Sequence, residues 1–148
     1  MSYLIDTCAL SELRRKKPDA NVVGWFEATS QQGLYLSVLT LGEIRKGVEA
    51  LPNAQTNKRR KDRILNWLEH ELPLWFEDRI LPIDAGVADE WGRLLARAGR
   101  SLPAIDSLIA ATAIHHRLTI VTHNVKDFNY DSVDVFNPWV KEFQENKF

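Results

Sequence analysis

Short apolar runs recur along the chain, each closed by a polar or turn-forming residue and separated from the next by stretches of helical spacing. The runs are YLID (3–6), LYLSV (34–38), ILPI (80–83), LTIVT (118–122) and VDVF (133–136). Runs of this length read as strands when helical patterns lie between them. The intervening stretches predict helices over 11–16, 21–30, 41–50, 56–71, 84–98 and 104–117, with a tail helix from near Pro138. Asn21 and Asp84 stand where N-caps belong, and Gly99 stands just past a helix end. Such alternation requires βαβ crossovers, hence an α/β fold with a mostly parallel central sheet flanked by helices in three layers. Pro82 removes a ladder donor and pushes its strand towards a sheet edge.

At 148 residues the chain is expected to form one domain, 1–148, with a core that needs no disulfide. The single Cys8 excludes an internal disulfide, no Cys/His cluster has zinc spacing, and Cys8 reads as a small buried residue. Met1 leads directly into the first strand without a basic or long apolar leader, which points to a reducing cytoplasm and no membrane. A net charge of −1 excludes a polycation, yet the basic residues are bunched as RRKK (14–17) and KRRKDR (58–63). Runs of this kind are more often solvated helix faces than nucleic-acid contacts. The tryptophans at 25, 67, 75, 91 and 139 read as core or interface anchors.

In parallel sheets, ligands gather beyond the carboxyl ends of the strands. The polar residues at those ends are therefore informative. Asp6 ends the first strand, Glu43 falls in the first turn of the helix after the second, Asp106 opens the apolar helix AIDSLIAA, and Asn124 and Asp127 follow LTIV. Each has a plain structural reading. Thr40 with Glu43 fits a capping box, Asp106 complements a helix dipole, Asp6 can cap a helix and Asp127 can start an Asx-turn. Their joint arrival at one rim favours a site over coincidences.

Two carboxylates ~4 Å apart repel by about 4 kcal/mol at an effective dielectric near 20. A cluster of them takes up protons or a cation. Hard oxygens without Cys or His partners select Mg²⁺ or Mn²⁺, ions that commonly meet phosphates and activate water for attack on phosphorus. Thr7 and Thr122 lie beside the acids, where a hydroxyl can orient a carboxylate or simply finish a strand. Ser107 reads as support for its helix start, and His115 and His116 as cations at a helix C-terminus. His123 receives no catalytic role.

The segments YLIDTCALSEL, LSVLTLGEIRKGVEAL, LPAIDSLIAATAIHHRLTIVTHNVKDF and VFNPW, in that order, resemble the PIN-domain family. More narrowly, they resemble the VapC- and FitB-type toxins of bacterial toxin–antitoxin pairs. The resemblance spans nearly the whole chain. It implies a PIN-like fold and a Mg²⁺- or Mn²⁺-dependent endoribonuclease that hydrolyses RNA with metal-activated water. It also implies a homodimer, silenced by a cognate antitoxin of the VapB or FitA kind that carries the operator-DNA binding. The family's acidic positions fall on Asp6, Glu43 and Asp106, and its fourth lies in THNVKDF. Asp127 is expected as the supplementary acid and Asn124 as a polar neighbour, with one or two ions left open. Arg14, Lys46 and residues 58–61 are expected to hold phosphates, and the helices of 41–71 to present an antitoxin groove or dimer face.

Three other readings compete. A haloacid-dehalogenase-like phosphatase wants a second Asp where Cys8 stands, and a signalling receiver wants an acidic pair where Asp6 is alone. A non-catalytic binding module would use the acids only as helix caps.

Overall fold

The computed structural model describes residues 1–140. In chain order the regular elements are β1 (Tyr3–Ile5), α1 (Thr7–Glu12), α2 (Ala20–Ala28), β2 (Leu34–Ser37), α3 (Val38–Glu49), α4 (Gln55–Asn66), α5 (Leu72–Phe76), β3 (Ile80–Leu81), α6 (Ala85–Ala98), α7 (Ala104–His116), β4 (Thr119–Val121) and β5 (Val135–Phe136). A π-turn over Trp67–Glu71 joins α4 to α5. None of these helices is long and apolar enough to cross a membrane.

The strands form one parallel sheet in the order β3-β2-β1-β4-β5. Tyr3 aligns with Leu34 on one side and Thr119 on the other. Strand order therefore reverses at β1, and the crevice where ligands gather in such sheets opens beyond β1 and β4. Side chains alternate across the sheet. Leu4 and Ile120 enter one apolar layer with Leu94, Ile109 and Phe128 from the α6–α7 side. Ile5 and Val121 enter the other with Leu10, Ile44, Leu68 and Phe76. Both layers are closed to water, which gives the three-layer arrangement.

Several boundaries differ from the sequence reading, each for a local reason. The first helix starts at Thr7 rather than Ser11 and ends at Glu12, so RRKK lies in turns and not on a helix. Glu12 is buried and takes hydrogen bonds from Asp19 N at 2.8 Å and from Arg15, which folds the basic stretch back onto the body. Asp19, not Asn21, caps α2, accepting from the amides of Asn21 and Val22. The helix expected over 56–71 runs on to Phe76 through the π-turn. Pro73 cannot supply an amide to the preceding turn, and the wider π register accommodates it. The edge position expected for the strand near Pro82 is observed, β3 being outermost. Arg79, which the sequence did not single out, is buried and donates to the carbonyls of Gln31, Leu34 and Trp75. It closes this edge of the sheet where the two-residue β3 offers few ladder bonds. Past a turn at Asn137–Val140 the expected tail helix lies outside the described residues.

Candidate metal centre

Asp6 occupies the N-cap position of α1, yet its carboxylate caps nothing. Instead Oδ2 accepts the Thr122 hydroxyl at 2.8 Å, across the strand-order reversal. Thr122 is fully buried, and its oxygen also accepts the Asn124 amide at 3.0 Å, so this hydroxyl has both a fixed donor and a fixed acceptor role. The backbone amide of Asp6 donates to Val121 O at 3.0 Å, extending the β1–β4 ladder to the residue that bears the carboxylate. Asp6 is thus aimed by the sheet, not by its helix.

Glu43 is placed by α3. That helix begins at Val38 with Ser37 as N-cap, the Ser37 hydroxyl accepting the Leu39 amide at 3.0 Å. The expected Thr40–Glu43 capping box is therefore absent: Thr40 is buried inside the helix, and Glu43 stands in the second turn rather than the first. With no capping duty, Glu43 Oε1 accepts the Thr7 hydroxyl at 2.6 Å. Thr7, next to Asp6 in sequence, ties the two acidic segments together.

Asp106 lies in the first turn of α7, behind Pro103. Burial pushes its carboxyl above the ordinary carboxylate range, and the charges of Asp127, Asp6 and Glu43, in that order, add to the push. The charges of Asp127, Asp6 and Glu43 all bear on Asp106. The helix start is braced as expected for Ser107, whose hydroxyl donates to Ala104 O at 3.0 Å. Sequence reasoning missed the partner in this brace, Trp91 on α6, whose indole N–H donates to Ser107 Oγ at 2.9 Å. Asp127 sits in the short helical turn after β4, exposed, and makes no Asx-turn hydrogen bond. Asn124 enters the network through its backbone, not its side chain.

Cys8 differs from the expectation of a buried spectator. It is partly exposed, and its sulfur lies 3.6 Å from Asp6 Oδ2, 3.3 Å from Thr122 Oγ1 and 3.4 Å from the His123 amide. Burial pushes its thiol up, so at neutral pH it stays protonated and adds no thiolate to the oxygen donors.

Among the described residues no three Asp, Glu, His or Cys side chains are drawn together tightly enough to ligate one ion as they stand. Burial and the charges of the three other acids press on the Asp106 carboxyl, which a cation bound there would relieve. The donor set is carboxylate and hydroxyl oxygen, which suits a hard divalent ion better than zinc.

The PIN-domain family model matches residues 3–131. The chain belongs to the PIN-domain family. It is 37% identical to Toxin FitB of Neisseria gonorrhoeae over 139 residues, covering 92% of this chain and 97% of that protein. It is 33% identical to VapC ribonuclease Y4jK of Sinorhizobium fredii, covering 92% of this chain and 96% of the relative. Among solved structures, FitAB bound to a DNA fragment has a chain superposing with a TM-score of 0.81 at 34% identity, covering 95% of this chain and 97% of that one. PIN-domain ribonucleases are in general dependent on divalent metal, and the acidic rim described above is where this PIN domain offers oxygen donors.

Proposed function

We propose that this PIN domain, taken as a single unit over 1–148, is a Mg²⁺- or Mn²⁺-dependent endoribonuclease acting in the cytoplasm as the toxin of a toxin–antitoxin pair. The observation that carries the reading is the Asp106 carboxyl, held at the start of α7 within reach of the charges of Asp127, Asp6 and Glu43. Asp6, Glu43, Asp106 and Asp127 are the residues that would hold the ion. When bound, it would supply charge neutralisation at the scissile phosphate and make water a competent nucleophile near neutral pH.

The remaining work falls to the chain itself. Thr122 holds Asp6 in one orientation and Thr7 does the same for Glu43. RNA backbone needs positive flanks, and the two basic runs meet through Arg14. Arg14 donates to Arg63 O at 3.4 Å and lies over the Trp67 ring at 4.9 Å, joining RRKK to α4. On α6 the arginines are neutralised within the helix, Arg93 by Asp89 and Glu90 and Arg97 by Glu90. On α4 no described ion pair involves Lys58, Arg59, Arg60, Lys61 or Arg63. A merely solvated helix gains from i,i+4 pairs; α4 leaves its cations free for phosphates.

The similarity to Toxin FitB and to the FitAB assembly bound to DNA supports a cognate antitoxin as partner; a homodimer of this chain, with operator DNA reached only through the antitoxin, belongs to the same proposal. The test is direct. Purified protein incubated with structured RNA should cleave it with Mg²⁺ or Mn²⁺ and stop on addition of EDTA, and Asp106→Asn should abolish cleavage while keeping the fold. Cleavage that persists in EDTA would overturn the mechanism. Expression in a bacterium should arrest growth, with rescue by the antitoxin gene; harmless expression of an active enzyme would overturn the toxin role.

A further inference from the structure

The end of α6 and the loop after β4 enclose a half-open recess of about 190 Å³. Its floor includes Leu94, which is 2% exposed, and its walls are Arg97, Arg100, Asn129, Tyr130 and Asp131. Leu94 and Tyr130 belong to the apolar layer under the α6–α7 side of the sheet, so the floor is built into the core. Arg100 directly follows Gly99, whose φ of 63° ends α6 and turns the chain towards the loop leading to Asp106. Tyr130 lies three residues past Asp127. The short turn that carries Asp127 packs on α7, whose first turn carries Asp106, so the recess adjoins the segments that bear these acids.

We infer that this recess is a nucleotide subsite, which seats one base and phosphate of the RNA strand next to the bond being cut. The inference rests on the ribonuclease reading above. Tyr130 offers an aromatic face, and base stacking needs no particular sequence. Asn129 offers an amide donor and acceptor for a base edge, and Asp131 accepts from an exocyclic amino group. Arg100, exposed and in no described ion pair, meets the phosphate; Arg97 is leaned on by Glu90 at 3.6 Å and contributes less. An apolar floor with a guanidinium rim fits a nucleotide better than a hydrophobic side chain from a protein. The subsite also places a cation where the acids would otherwise repel the strand.

The experiment uses a short single-stranded RNA that the wild type cuts in Mg²⁺, together with versions carrying an abasic residue at each of the positions flanking the cut. For the wild type, one flanking abasic position should cost roughly tenfold in kcat/KM, the scale of one lost stack. Arg100→Ala should raise KM with little change in kcat. Tyr130→Leu should erase the abasic penalty at that position, while Tyr130→Phe keeps it. A penalty that is the same in wild type and Tyr130→Leu, with an unmoved KM in Arg100→Ala, overturns the subsite while cleavage itself stands. Loss of antitoxin binding in Arg100→Ala with unaltered RNA kinetics assigns the recess to protein and equally overturns it. If the wild type cuts no RNA, the ribonuclease reading falls and takes the subsite with it.

Discussion

The Thr122 hydroxyl donates to Asp6 Oδ2 at 2.8 Å across a sequence separation of 116 residues. It joins the ends of the two strands between which sheet order reverses, and it is shielded from water, since Thr122 has no exposed surface. Replacing it by Val keeps the shape and removes both the donor to Asp6 and the acceptor for the Asn124 amide. Thr122→Val should lower stability by about 1–3 kcal/mol, read from urea unfolding midpoints at unchanged slope. A loss within a few tenths of a kcal/mol would mean the bond positions nothing.

Divalent ion should stabilise the protein by mass action, because only the folded chain brings the acids together. At a hundredfold excess over Kd the gain is about 2.7 kcal/mol. Thermal melts with and without Mg²⁺ should separate for the wild type and coincide for Asp106→Asn. The variant should melt no lower than the wild type without metal, since it removes a carboxyl under pressure from burial and three other acids.

Arg79 serves three carbonyls from inside the fold. Arg79→Leu leaves those of Gln31, Leu34 and Trp75 without this donor and should cost roughly 3 kcal/mol or more. Because β3 is short and outermost, the loss should appear first as faster amide exchange in β2 and β3, measured by mass spectrometry.

His116 sets an acid limit on stability. Burial lowers the pKa of its imidazole, the charge of His115 lowers it further and Asp84 opposes both, while Nε2 is buried without a partner. The unfolded chain therefore binds the proton before the folded one does. Stability from this group is complete above about pH 6.5 and is lost as pH falls through the lower folded value. His116→Leu should flatten the fall in melting temperature between neutral and mildly acidic buffer. An identical pH profile in variant and wild type would exclude His116 as the cause.

The unpaired cations of α4 predict a strong salt dependence of RNA binding. For single strands, each phosphate contact contributes about 0.7 to the slope of log K against log salt. Neutralising Lys58, Arg59, Arg60 and Lys61 together should make that slope shallower by about one to three. Equal slopes would return this face to the role of a plain solvated helix or to the antitoxin.

The parallel sheet was legible because short apolar runs alternate with helical stretches over the whole chain; Asp6, Glu43 and Asp127 stood out because they come just after such runs, whereas Asp106 stood out at the start of an apolar helix. Helix starts were less legible. The chain turns helical at Thr7 and at Val38, immediately after each strand, where no glycine or proline marks the change. Glu43 looked like half of a capping box because Thr40 precedes it by three; only Ser37 taking the cap frees Glu43 for Thr7. The sequence favoured Asp127 over Asn124 as the supplementary acid because only Asp127 is ionised. In the fold, Asp127 is the acid that acts most strongly on Asp106, whereas Asn124 contributes its backbone. The brace of Trp91 on Ser107 and the burial of Arg79 left no periodic trace, since both depend on elements meeting in space.

The central position of β1 has a consequence for how the molecule is made. The first strand to leave the ribosome is paired on one side by β2 but must wait for Thr119–Val121 before its second neighbour exists. Pairings between such distant segments are slow to close and late to form. Asp6 can therefore meet Thr122 only once the chain has reached β4 and that pairing has closed.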